Sequence, residues 1–112
     1  LINSGSIRAS EDSSIKARKN IRNKAGSIYS AALLNLKTKD GDLENAYLGE
    51  LGSGKDLVIT TGSAVLNSGK IDSSARGKIM STGLIQNRGT ISSKEKLIVE
   101  SSLELLNYGL IE

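Results

Sequence analysis

The chain is predicted to be all-β and wound as a parallel β-helix, a solenoid of about 20–22 residues and three short strands per coil, making roughly five and a half coils. Three observations carry that prediction. One phrase, Asn-x-Gly-x-Ile, returns at even steps along the whole chain. The residues between its copies alternate apolar and polar with period two. No window of eleven residues shows the three-and-four spacing of a helix.

The phrase is read from its Asn. Asn3, Asn23, Asn45, Asn67, Asn87 and Asn107 lie 20, 22, 22, 20 and 20 residues apart. Two residues before each stands Leu1, Ile21, Leu43, Val65, Ile85 or Leu105, and beyond each comes Gly5, Gly26, Gly49, Gly69, Gly89 or Gly109. The aliphatic anchors follow at Ile7, Ile28, Leu51, Ile71, Ile91 and Ile111. One extra residue after Asn23 and two after Asn45 delay the Gly and the anchor, and the phase then recovers. Recovery of phase marks a structural repeat.

Each unit holds three period-two runs. Around Ile91, Ile91-x-Ser93 is the first, Leu97-x-Val99-x-Ser101 the second and Leu103-x-Leu105-x-Asn107 the third. Eight residues beyond the anchors stand Ile15, Leu36, Ile59, Ile79 and Val99; two further stand Ala17, Thr38, Thr61, Ser81 and Ser101. Strands this short, repeated in register, pair with their equivalents in the next unit, which makes every pair parallel. The Gly is expected at a corner needing positive φ. The Asn before it bonds its own backbone and stacks on its neighbours as an amide ladder.

Composition agrees with a thin, aliphatic interior. The chain has three Tyr, no Phe, Trp or Pro, twelve Gly and 38% hydrophobic residues. Without Cys or His it lacks thiolate chemistry, disulfides, cysteine-ligated zinc and the commonest general base. It shows no initiator Met, signal peptide or apolar run long enough to span a membrane, and so reads as a single segment, residues 1–112, internal to a longer protein.

The units "VLNSGKIDSSARGKIMSTGLIQ" and "IQNRGTISSKEKLIVESSLELL" resemble the degenerate repeats of the filamentous haemagglutinin family, the exoproteins of bacterial two-partner secretion that include adhesins, haemolysins and the stick proteins of contact-dependent growth inhibition. The resemblance covers essentially the whole chain and implies a right-handed β-helix, the hand that parallel crossovers favour. "KDGD", "NAYLG" and Leu51 in place of the anchor Ile depart from the pattern. It further implies a secreted or surface-displayed rigid spacer that projects an adhesive or toxic tip, with an outer-membrane transporter, neighbouring coils and a host- or target-cell surface as partners. No cofactor and no catalytic or metal-binding residue is expected.

Four local features invite other chemistry. Asp40, Asp42 and Glu44 alternate like part of a calcium loop, but a β-roll would need such acids in every unit, so a solvated turn is expected. Glu11, Asp12, Asp56, Asp72 and Glu95 are the acids that a β-helical polysaccharide-active enzyme would draw on, and no long loops accompany them to wall a cleft. Lys16, Arg18, Lys19, Arg22 and Lys24 form a basic run that, held on an outer face, would suit a sulfated glycan and make the chain an adhesin module. Nucleic acid is not expected, because no aromatic residues interleave with these cations. Tyr29, Tyr47 and Tyr108 are placed at outward or corner positions, where an aromatic commonly covers a neighbouring Gly or Lys stem.

Overall fold

Alternating side chains over two to six residues give seventeen short strands and no helix in a computed structural model that describes all 112 residues. The first coil comprises β1 (Ile2–Asn3), β2 (Ser6–Ala9) and β3 (Ser13–Ala17); the second β4 (Ile21–Asn23), β5 (Ser27–Ser30) and β6 (Leu34–Thr38). The third has β7 (Leu43–Asn45), β8 (Glu50–Ser53) and β9 (Leu57–Thr61); the fourth β10 (Val65–Asn67), β11 (Lys70–Ser73) and β12 (Arg76–Ser81). The fifth has β13 (Ile85–Asn87), β14 (Thr90–Ser93) and β15 (Lys96–Ser101), and β16 (Leu105–Asn107) and β17 (Leu110–Ile111) begin a sixth.

Every strand pairs in parallel with the strand three places along the chain, so the coils stack into three sheets of six, six and five strands. Sheet 1 runs β1-β4-β7-β10-β13-β16, sheet 2 runs β2-β5-β8-β11-β14-β17 and sheet 3 runs β3-β6-β9-β12-β15. The chain is a β-solenoid. Its register puts like on like: Asn3, Asn23, Asn45, Asn67, Asn87 and Asn107 are successive partners in sheet 1. The anchors from Ile7 to Ile111 are partners in sheet 2, and Ile15, Leu36, Ile59, Ile79 and Val99 in sheet 3.

Thirteen buried aliphatics form one continuous core along the axis, among them Ile21, Leu43, Val65 and Ile85 from sheet 1, Ile28, Leu51, Ile71 and Ile91 from sheet 2, and Leu36, Ile59 and Ile79 from sheet 3. Burying each is worth roughly 1.5–3 kcal/mol. A slip of one residue in any strand would turn its aliphatics to water, which is what holds the register.

Three of the four extra residues of coils two and three stay in the corner between sheets 1 and 2, where Ala25 (φ 54°) and Leu48 (φ 68°) take the left-handed region; the fourth lies between β6 and β7, in the corner between sheets 3 and 1. The glycines behave otherwise than the sequence suggests. None of them has positive φ. Their role is close approach: an atom added at Gly89 would meet the Gly69 carbonyl oxygen inside contact distance, with the Ser68 and Gly69 carbonyl carbons at 2.9 and 3.0 Å. Gly69 faces Gly49 in the same way, and Gly109 faces Gly89. Gly5, with no coil beneath it, has nothing within 4 Å.

Candidate functional surface: stacked corners and outer faces

The corners between strands are two to four residues long, and their carbonyls, most of which accept one backbone N–H from a neighbouring coil, have a second lone pair to offer. An inward polar side chain meets them at each of the three corners. Between sheets 1 and 2 it is the Asn. Asn3 Nδ2 donates to Asn23 Oδ1 at 2.9 Å, Asn23 to Asn45 at 2.9 Å, Asn45 to Asn67 at 2.9 Å, Asn67 to Asn87 at 2.8 Å and Asn87 to Asn107 at 2.9 Å. The same Nδ2 groups also donate to the carbonyl oxygens of Gly5, Gly26, Gly49, Gly69, Gly89 and Gly109 in their own coils, at 2.9–3.2 Å. Asn23, Asn45, Asn67 and Asn87 are fully buried, and the bonding makes that burial affordable.

The other two corners use hydroxyls. Between sheets 2 and 3, Ser53 Oγ shares its one hydrogen between the carbonyls of Ala32 and, at 2.7 Å, Asp56, while accepting from the Lys55 N–H at 3.1 Å. Ser30 and Ser93 reach the carbonyls of Glu11 and Ala75 in the preceding coil. Between sheets 3 and 1, Thr38 donates to the Gly41 carbonyl at 2.6 Å, and Ser81 and Ser101 to the carbonyls of Ser63 and Gly83. Sequence reasoning noted small residues at these positions without assigning them this work. The signal was there: a hydroxyl at eight of the ten places, where packing alone would accept Ala. No buried side-chain nitrogen or oxygen lacks a partner.

Four aspartates serve as exterior staples, whereas Glu11, Asp40 and Glu95 make no side-chain bond. Asp12 and Asp56 Oδ1 accept the backbone N–H groups of Leu33 and Arg76 in the next coil, both at 3.1 Å, and Asp42 Oδ1 accepts that of Ala64 at 2.9 Å. Asp72 accepts from Ser92 at 3.0 Å on the outside of sheet 2. Glu44 is engaged by Arg22 at 2.7 Å. No three carboxylates converge as a cation site.

The basic run from Lys16 to Lys24 does not form one face. Lys16 stands on the outside of sheet 3, Arg18 and Lys19 lie in the corner that follows, Arg22 is on sheet 1 in its ion pair, and Lys24 sits in the next corner. The run therefore wraps two of the three sides, and one of its charges is already paired. Of the tyrosines, Tyr29 lies over Gly52, whose missing side chain leaves room for the ring, and Arg8 covers the ring at 5.2 Å. Arg88 covers Tyr108 at 5.0 Å, and Tyr47 projects into solvent beside Leu48.

Comparison of the chain with protein-family models, with curated proteins and with solved structures returns no match.

Proposed function

We propose that the chain is a rigid structural section of a secreted or surface-displayed filamentous exoprotein of the haemagglutinin type, spacing a distal adhesive or toxic domain away from the cell that exports it. The observation that carries this reading is the unbroken amide ladder, which joins all six coils through side chains while the sheets join them through backbone. A rod of this kind resists bending because each coil is tied to the next on all three sides. Each coil advances the axis by the strand spacing, about 4.8 Å, so length scales with the number of units. Neither role asks anything of the outer side chains beyond solubility, which suits their variation from coil to coil. The resemblance of the repeat to filamentous haemagglutinin units supports the exported setting.

Antibody raised against the 112-residue chain tests the setting directly. Intact, unpermeabilised cells that make the parent protein are expected to bind it, and brief surface proteolysis to remove the signal. Antigen reached only after permeabilisation would overturn the proposal.

A further inference from the structure

The charge of this chain is not spread evenly over its three sides. In the strands of sheet 1 the single cation, Arg22, is matched by Glu44, and in those of sheet 2 Arg8 and Lys70 are matched by Glu50 and Asp72. The strands of sheet 3 carry five cations, Lys16, Lys37, Arg76, Lys78 and Lys96, and one carboxylate, Glu100. That excess of four exceeds the net charge of the whole chain, +3. All five cations are exposed, and only Arg76 has an ion-pair partner, Asp56 at 3.8 Å.

Register fixes how these charges lie. Lys96 and Arg76 are partners at the beginning of β15 and β12, Lys78 is in the middle of β12, and Lys37 and Lys16 are partners near the end of β6 and β3. The cations thus run diagonally across the sheet. Glu100 near the end of β15 and Asp12 just before β3 stand at the two corners off that diagonal, while Glu95 and Asp56 lie at the sheet's edge beside Lys96 and Arg76. Between the two cationic groups the outer positions of β9 are Val58 and Thr60, which add no charge. Five strands span roughly 19 Å along the axis.

We propose that sheet 3 is a binding face for a linear acidic polysaccharide lying along this diagonal. A stripe flanked by carboxylates favours a narrow polyanion over a broad anionic surface, because the latter would also press on Glu100 and Asp12. Sulfate or carboxylate groups along a chain meet cations held at fixed spacing by the sheet, with no loop to order on binding. Asn35, Ser14 and Thr60 offer side-chain hydrogen bonds to sugar hydroxyls beside the stripe. The face has no aromatic residue on which bases can stack, which argues for a polysaccharide over a single-stranded nucleic acid. The spacer role requires no ligand, so this proposal and that one stand or fall separately.

The test uses the 112-residue chain with labelled dextran sulfate and polygalacturonate, neutral dextran as control, and oligothymidylate as the competing polymer. At low salt the chain is expected to bind at least one acidic polysaccharide, to ignore dextran, and to release its ligand as salt rises. Lys37→Glu with Lys78→Glu should weaken that binding by about tenfold or more, and the milder Lys37→Gln with Lys78→Gln by less, with the far-ultraviolet spectrum unchanged for at least the latter pair. Lys24→Glu with Lys94→Glu, which alters net charge equally in two corners, should change it by about threefold or less. Equal losses in the two reversed pairs, no binding to either acidic polysaccharide, or tighter binding of oligothymidylate would each overturn the proposal.

Discussion

Gly89 and Gly5 occupy the same place in the repeat, yet only one of them is irreplaceable on physical grounds. A methyl group at Gly89 would press on backbone of the coil below, which cannot move without breaking the sheet. Overpacking of this kind typically costs 1–3 kcal/mol, and a rigid neighbour puts the cost toward the upper end. Gly89→Ala is therefore expected to lower unfolding free energy by about 2–3 kcal/mol. Gly5→Ala, with open space around the new methyl, should stay within about 0.5 kcal/mol. Denaturant unfolding of the two variants distinguishes close approach from backbone conformation, since a conformational role would penalise both alike.

The Asn ladder is the element where burial and bonding depend most on one another. Asn67 Nδ2 reaches Asn87 Oδ1, the Gly69 carbonyl and, at 3.1 Å, the Thr90 carbonyl, while its Oδ1 receives Asn45. Asn67→Leu keeps the branched shape and removes all five bonds, the fifth being the Gly69 N–H to Asn67 Oδ1 at 3.3 Å, so that groups in three successive coils are each left one bond short. Each buried group left unsatisfied costs about 1–3 kcal/mol, so a total loss of about 3 kcal/mol or more is expected. The same change at Asn107, which is exposed on the edge strand β16, should cost under about 1 kcal/mol. Comparable losses at the two sites in thermal or denaturant unfolding would show that the ladder adds little beyond the sheets.

Taken along its axis, the molecule has two open ends. β1, β2 and β3 at one and β15, β16 and β17 at the other each have a row of backbone groups without a strand partner, beside exposed Leu1 and Ile2 and exposed Leu103, Leu105 and Leu110. Such edges accept any strand that arrives. The isolated 112-residue chain is expected to associate end to end, in a head-to-tail manner that does not close into a ring. Sedimentation over a concentration series should show a growing distribution; a monomer at high concentration with both terminal coils protected from hydrogen exchange would refute this.

The repeat length, the three strands per coil, the parallel pairing and the inward aliphatic rows were all legible in the chain, because strand periodicity and coil register are written in the order of side chains. Asn67 and Gly69 can be found that way even across the insertions that precede them. The reason for the glycine could not. It depends on the distance between one coil and the next, which follows from pairing and corner geometry, and no local pattern reports it. The serine and threonine corners were visible as small residues, but the bonds by which the serines join one coil to the next run to carbonyls some eighteen to twenty-one residues away, such as Ser81 to Ser63 and Ser53 to Ala32. Charge was the least legible of all. Lys16 and Lys24 are near neighbours in sequence and lie on different sides of the solenoid, whereas Lys16 and Lys37 are partners on one sheet. Which charges share a face is decided by where the corners turn the chain, and that belongs to the folded coil.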